Sequence, residues 1–313
     1  MSHRRRPGVR RRSRCSPGRL FAMTLVLLLC EATHAQDLEP RRWTHLPTGL
    51  HILGLGAGYT EGDIFLDPVL EIEDASFELA TAAVGYVHSF GLFGKTARVD
   101  LQLPFANGRW AGLLSGEPAS TRRDGMADPR LRLSVLLYGG PAQTREEFAT
   151  GEKSDTLVGA ALSVRAPLGE YFPERLINLG QNRWIFRPQL GVTHMRGKWT
   201  YELTGSVFLY TDNDDFDGNE LENDPLWALQ GHVIYTFRPG LWASVSTAYG
   251  DGADVFINGG ARNLKTQNWL MSLAVGLPIN RQQGVKGAWL SSRTQEFNGS
   301  DSDSLLVAWQ YIF

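Results

Sequence analysis

The ten residues Ser304 to Phe313, S-L-L-V-A-W-Q-Y-I-F, set the strongest limit on how this chain can fold. Side chains of an extended strand alternate between its two faces. Leu305, Val307, Trp309, Tyr311 and Phe313 therefore share one face, and Ser304, Ala308 and Gln310 share the other. Soluble sheets blunt an exposed edge with charge or proline, and this segment contains neither. An apolar face crowded with aromatics at its final end suits a wall with lipid on one side and a polar lumen on the other. Hydrocarbon leaves no partner for an open backbone edge, so such a strand requires a closed barrel around it.

The N-terminus points to export. Eight arginines fall between Arg4 and Arg19, an apolar run spans Leu20 to Cys30, and Glu-Ala-Thr-His-Ala follows. A basic region, a short apolar region and a small residue at the cut describe a signal peptide, residues 1–35, cleaved after Ala35. Met23 lies inside the apolar run, which leaves the start open between Met1 and Met23; Leu29 before Cys30 is too large for lipoprotein processing. Cleavage removes both cysteines and leaves 278 residues with 23 basic and 32 acidic side chains, a net charge of −9. An acidic chain argues against nucleic acid as a partner. Without disulfides, stability rests on backbone pairing and packing. The mature chain has no apolar run of about 20 residues, the length a membrane helix needs.

After a polar leader, 36–47, residues 48–313 divide into twelve strand-like segments joined alternately by short and long links. Lys95 to Phe105 sets Ala97, Val99, Leu101, Leu103 and Phe105 against Arg98, Asp100 and Gln102. Pro129 to Tyr138 sets Leu131, Leu133, Val135 and Leu137 against Arg130, Arg132 and Ser134. Arg238-Pro239-Gly240 reads as a tight turn, and Thr144 to Phe148 as a helical turn inside a longer link. Residues 62–74, 106–128, 169–182, 212–224, 250–263 and 296–303 read as loops. An even strand count, with both termini beside the shorter links, is the layout of an outer-membrane barrel, whose short turns lie in the periplasm. The expected fold is all-β: a single antiparallel transmembrane barrel of twelve strands in the outer membrane of a Gram-negative bacterium. Its expected partners are outer-membrane lipid, the barrel-assembly machinery and a small-molecule solute. The ending at Trp309, Tyr311 and Phe313 resembles the signal that this machinery reads.

Several stretches carry a family resemblance. They are T-G-L-H-I-L-G-L-G-A-G-Y-T-E-G-D from Thr48, D-P-R-L-R-L-S-V from Asp128, I-N-L-G-Q-N-R-W from Ile177, Y-T-D-N-D-D-F from Tyr210, Q-G-H-V-I-Y-T-F-R-P-G-L-W from Gln230 and the terminal V-A-W-Q-Y-I-F. Together they resemble the family of the MetA-pathway of phenol degradation, over about residues 41–313. The resemblance implies an outer-membrane, transporter-like barrel and a role in passing aromatic compounds. It implies no particular site residue.

Candidate lumen residues are Glu78, His88, Arg98, Asp100, Arg132, Arg165, Arg187, Glu202 and His232. Strand direction puts Arg132, Arg165 and Arg187 in the outer half of neighbouring strands, near Glu78. It puts Arg98, His88, Glu202 and His232 in the inner half. Three guanidinium groups facing a lumen can hold carboxylates by two-point contacts and favour anionic solutes such as aromatic acids. The same residues also suit a structural network in which arginines and carboxylates neutralise one another and fill a narrow barrel. Asn213, Asp215 and Asp217, with Gly218 next and Asp224 at the twelfth place, approximate the spacing of a Ca²⁺ loop, and a solvated acidic loop explains the same residues. Gly54, Gly56 and Gly58 read as close packing within a strand. His88, His194 and His232 have no serine in recognisable spacing, so the expected function is a channel or transporter and not an enzyme. A closed structural or surface-binding barrel is the alternative.

Overall fold

The computed structural model describes residues 38–66, 72–175, 177–262 and 264–313. The expected signal peptide, the two candidate start methionines and leader residues 36 and 37 lie outside the described residues. The strands begin with β1 (His51–Phe65), β2 (Ile72–Leu92), β3 (Lys95–Leu114), β4 (Glu117–Met126), β5 (Arg130–Tyr138), β6 (Thr156–Arg165), β7 (Ile185–Arg196) and β8 (Trp199–Tyr210). They continue with β9 (Asn213–Phe216), β10 (Asn219–Asn223), β11 (Leu226–Arg238), β12 (Leu241–Gly252), β13 (Val255–Ile257), β14 (Gly260–Ala261), β15 (Thr266–Pro278), β16 (Gln283–Thr294) and β17 (Gly299–Ile312).

Twelve of these form the wall: β1, β2, β3, β5, β6, β7, β8, β11, β12, β15, β16 and β17 pair antiparallel in ring order, β2 against β3 and β17 against β1. The alternation that is clearest in the sequence sets the facing. Leu101, Phe105, Leu131, Leu133, Leu190, Trp227 and Met271 stay exposed on the outside, as a lipid-facing wall requires. No helix among the described residues is long and apolar enough to cross a membrane, so the crossing is made by strands.

The short links behave as turns. At the β2–β3 connection Phe93 and Gly94 both take positive φ, 49° and 72°, the geometry that matches the twist of a two-residue hairpin. A short helix, α1 (Arg145–Thr150), occupies the longer link where a helical turn was expected, closed by a capping box between Thr144 and Glu147.

The long links differ from the expected loops. Residues 106–128 are a hairpin: β3 runs on to Leu114, turns at Ser115 and Gly116, and returns as β4. Residues 212–224 form the β9–β10 hairpin, which joins β13 and β14 in a separate four-stranded sheet. Phe216, Leu221, Val255, Ile257 and Leu264 are buried together there. The acidic residues mask these apolar positions in the sequence, because each link by itself holds too few of them to mark a core.

The seam runs from Ile52 opposite Ile312 to Phe65 opposite Gly299, with the Thr60 and Ser304 hydroxyls 2.8 Å apart on its inner side. At its lower end the Phe313 N–H donates to His51 O at 3.0 Å, and Arg145 Nη2 donates to Phe313 O at 2.9 Å. The Phe313 ring stacks on His51, with centroids 5.5 Å apart, and Tyr311 stacks on Phe313. Phe313 thus ties the closing strand to both β1 and α1. Deleting Phe313 is expected to lower the amount of folded barrel in the membrane, read as heat-modifiable migration on gels. Unchanged folded levels would separate this contact from assembly.

Candidate functional site

The lumen is organised by the leader. Thr48 N–H donates to Gln143 O at 2.7 Å, and His45 Nε2 lies 2.9 Å from Pro141 O and 3.2 Å from Thr96 Oγ1, which anchors the leader beside the short turns. Burial holds the His45 imidazole below its ordinary value, so the neutral ring is the form that donates to Pro141. From this anchor the chain enters the barrel and turns sharply. Arg41 takes φ 67°, and its N–H donates to Glu202 Oε2 at 2.6 Å, a contact that helps hold a conformation unfavourable for a side chain with Cβ.

Trp43 is the anchor of the plug. It is 1% exposed, and its Nε1–H donates to Thr204 Oγ1 at 2.9 Å. The indole lies against Gly159 and Gly191, direct register partners on β6 and β7, and a Cβ at these positions would come within 2.2 Å and 2.0 Å of indole atoms. Leu136, Leu157 and Ala161 complete the contact. The two glycines therefore form a notch in the inner wall that receives one tryptophan.

Glu39 carries the charge network. Its Oε2 lies 2.8 Å from Arg132 Nη1 and 3.1 Å from Arg42 Nη2, and its Oε1 lies 3.0 Å from Arg130 Nη2. Arg132 Nε reaches Asp100 Oδ2 at 3.1 Å, and Arg98 Nε reaches the same oxygen at 3.3 Å. Arg42 donates to Gln189 Oε1. Two carboxylates thus hold four guanidinium groups in a low-dielectric space, where geometry decides whether such pairs repay their desolvation.

The structure brings Arg98, Asp100 and Arg132 together and makes Glu202 a partner of the leader. His232 is buried in the wall, with Nδ1 2.8 Å from Ser246 Oγ. Arg165 and Arg187 line a cavity of about 20 Å³ with Arg130, Ser163, Ile185 and Phe208. Arg130, and not Arg132, completes that group.

Two expectations are corrected. Glu78 is exposed on the outer face of β2, opposite Glu61 and Arg109 and away from the arginines of the lumen. His88 is also on the outer face, stacked on His51 at 4.4 Å. The run Ala80-Thr81-Ala82-Ala83 has little contrast between its two faces, so the phase of β2 is not legible from it.

The proposed Ca²⁺ loop is a hairpin. Asn213 is buried, its Oδ1 accepting from Asn182 and from the Asp215 N–H while its Nδ2 donates to Tyr171 and Gln181. Asp215 and Asp217 are exposed near the turn, and Asp224 lies beyond β10 with its N–H on Asp254 O. Among the described residues no group of three or more His, Cys, Asp or Glu is arranged to hold a metal ion.

Sequence reasoning missed Glu39, Arg41, Arg42 and Trp43, because the leader reads as polar. The available signal was a tryptophan beside two arginines, together with inward glycines on adjacent strands.

The opposite side of the lumen is lined, among the described residues, by small side chains. Gly58 lies against Leu306 and Thr81, as close packing predicts, but a Cβ at Gly54, Gly56 or Gly85 would meet only strand backbone oxygens, none closer than 3.8 Å. On β17 the inward-facing Leu306 is 38% exposed, and Ala308 and Gln310 are exposed. Above this space the outer end is roofed: Ile177 and Leu179 from the β6–β7 link pack on Ile64, Phe77, Leu79 and Trp110. Asp128 pins that link by accepting from Gly169 and Gln181 N–H, each at 2.8 Å.

The family model described as "Putative MetA-pathway of phenol degradation" matches residues 62–296, more than half of the chain. The chain belongs to this family. Among solved structures it is similar to the COG4313 outer membrane channel from Pseudomonas putida F1, with a TM-score of 0.71 and 19% identity over 88% of this chain and 100% of that one. It is also similar to the transport unit of the autotransporter AIDA-I from Escherichia coli, with a TM-score of 0.53 and 8% identity over 95% and 99% of the two chains. The β domain of the Bordetella autotransporter BrkA gives a TM-score of 0.51 and 8% identity, over 85% of this chain and 100% of that one. At these identities the likeness concerns the barrel fold. No curated protein sequence matches the chain.

Two outcomes follow for this MetA-pathway family barrel. Trp43→Ala removes a buried aromatic and should cost about 3–5 kcal/mol of leader anchoring, read as protease cleavage within the leader while the barrel stays intact. Because the His45 value is lowered in the folded state, its contribution is full above the ordinary histidine value of about 6.5 and is lost as pH falls below it. Leader cleavage should therefore rise on acidification, and His45→Gln should abolish that dependence.

Proposed function

We propose that this protein is a passive outer-membrane channel for small solutes, with aromatic or other anionic organic compounds as the class that suits it. The observation that carries the reading is the asymmetry of the lumen. One side is filled by the leader, pinned at Glu39 and Trp43; the other, along β17, β1 and β2, is lined by Gly54, Gly56, Gly85, Leu306 and Ala308, with nothing packed on them among the described leader residues. A side of small and apolar residues facing a polar, arginine-bearing leader offers an amphipathic path, with apolar contact for a ring and cations for an acid. The COG4313 neighbour is an outer membrane channel, which supports the same reading.

A closed barrel is the second reading, favoured by the packed outer end where Ile177 and Leu179 sit on Trp110. Planar-bilayer conductance measured together with solute flux separates the two. On the channel reading the intact protein conducts, deletion of residues 36–47 raises the conductance several-fold, and Gly56→Trp lowers it without loss of folded barrel. Absence of conductance from both the intact and the leader-deleted protein would establish the closed barrel.

A further inference from the structure

The cavity lined by Arg130, Ser163, Arg165, Ile185, Arg187 and Phe208 adjoins the ion pairs that fix the leader and shares Arg130 with them, whose Nη2 lies 3.0 Å from Glu39 Oε1. Arg187 is 5% exposed. Its Cζ lies over the Phe208 ring, 4.3 Å from the centroid, and its Nε donates to Ser206 Oγ at 3.2 Å. These two contacts hold the guanidinium in place. Its Nη2 is buried and has no hydrogen-bond partner among the described residues. A buried cationic donor left unmatched is costly, and the cost is removed when an anion supplies the acceptor.

The volume, about 20 Å³, exceeds the roughly 10–15 Å³ that one water oxygen occupies on the same measure, so one oxygen-sized position fits. Arg130 and Arg165 are only half-buried, which leaves the cavity on the lumen wall instead of sealed within it. Ile185 and Phe208, both buried, supply an apolar side next to the cations, which keeps the site of a bound anion dry.

We propose that this cavity is a carboxylate subsite, in which a permeating organic monoacid places one carboxylate oxygen on Arg187 Nη2 beside Arg130 and Arg165, with its apolar part left toward the lumen. The subsite rests on the reading of the barrel as a solute channel and gives that reading a place where the solute pauses. A guanidinium N–H beside a space of one oxygen admits a carboxylate oxygen and is tight for the larger bromide ion.

The test is calorimetric titration of the full-length protein in detergent with sodium benzoate, benzyl alcohol and sodium bromide, beside conductance of the same preparation. The expected result is saturable benzoate binding, at least tenfold weaker in Arg187→Gln and partly restored in Arg187→Lys, with no binding of benzyl alcohol. Heat-modifiable migration checks that each variant is folded. Equal benzoate affinity in intact protein and Arg187→Gln overturns the subsite, as does benzyl alcohol binding as tightly as benzoate. Bromide binding as tightly as benzoate overturns the carboxylate assignment in favour of a general anion site. Conductance without benzoate binding refutes the subsite and leaves the channel; benzoate binding without conductance refutes the channel and leaves the subsite.

Discussion

Backbone hydrogen bonding in hydrocarbon governs everything else in this protein. Lipid offers no partner to an open strand edge, so twelve strands can stand in a membrane only if the first meets the last. β1 and β17 meet over almost their full lengths, and the lower end of that seam is tied by Phe313 to His51 and Arg145. Closure makes every wall position either lipid-facing or lumen-facing, with no third environment. The period-two pattern then decides the chemistry of both surfaces.

A closed wall of twelve strands leaves an interior that must be filled by protein or by water. Among the described residues the leader fills one side. Where inward glycines on β6 and β7 are neighbours in register, the wall is notched and Trp43 occupies the notch. At Gly54, Gly56 and Gly85 on β1 and β2, a Cβ would meet only strand backbone among the described residues. The same residue type thus serves two purposes. The difference is made by the leader, which the arginines around Glu39 draw to the β5–β8 side.

Legibility followed contrast between strand faces. β3 and β5 alternate large apolar residues with Arg98, Asp100, Arg130 and Arg132, and those four are in the lumen as the pattern requires. β2 passes through Ala80, Thr81, Ala82 and Ala83, where both faces look alike, and there Glu78 and His88 were assigned to the wrong face. The outer links failed for another reason. Phe216, Leu221, Val255 and Ile257 form one buried cluster from two separate links, so neither link carries a recognisable core of its own.

From its pattern alone the chain determines a twelve-stranded, lipid-facing barrel, because facing depends only on residue parity and parity is local. The closing strand, the short turns and most of the inward charges follow from it. Only the tertiary structure decides what fills the barrel. The Glu39 carboxylate meets Arg130 and Arg132 across more than ninety positions of chain, and Trp43 meets Thr204 across 161. Such contacts depend on how the closed wall brings distant strands around one segment, and no local spacing encodes that.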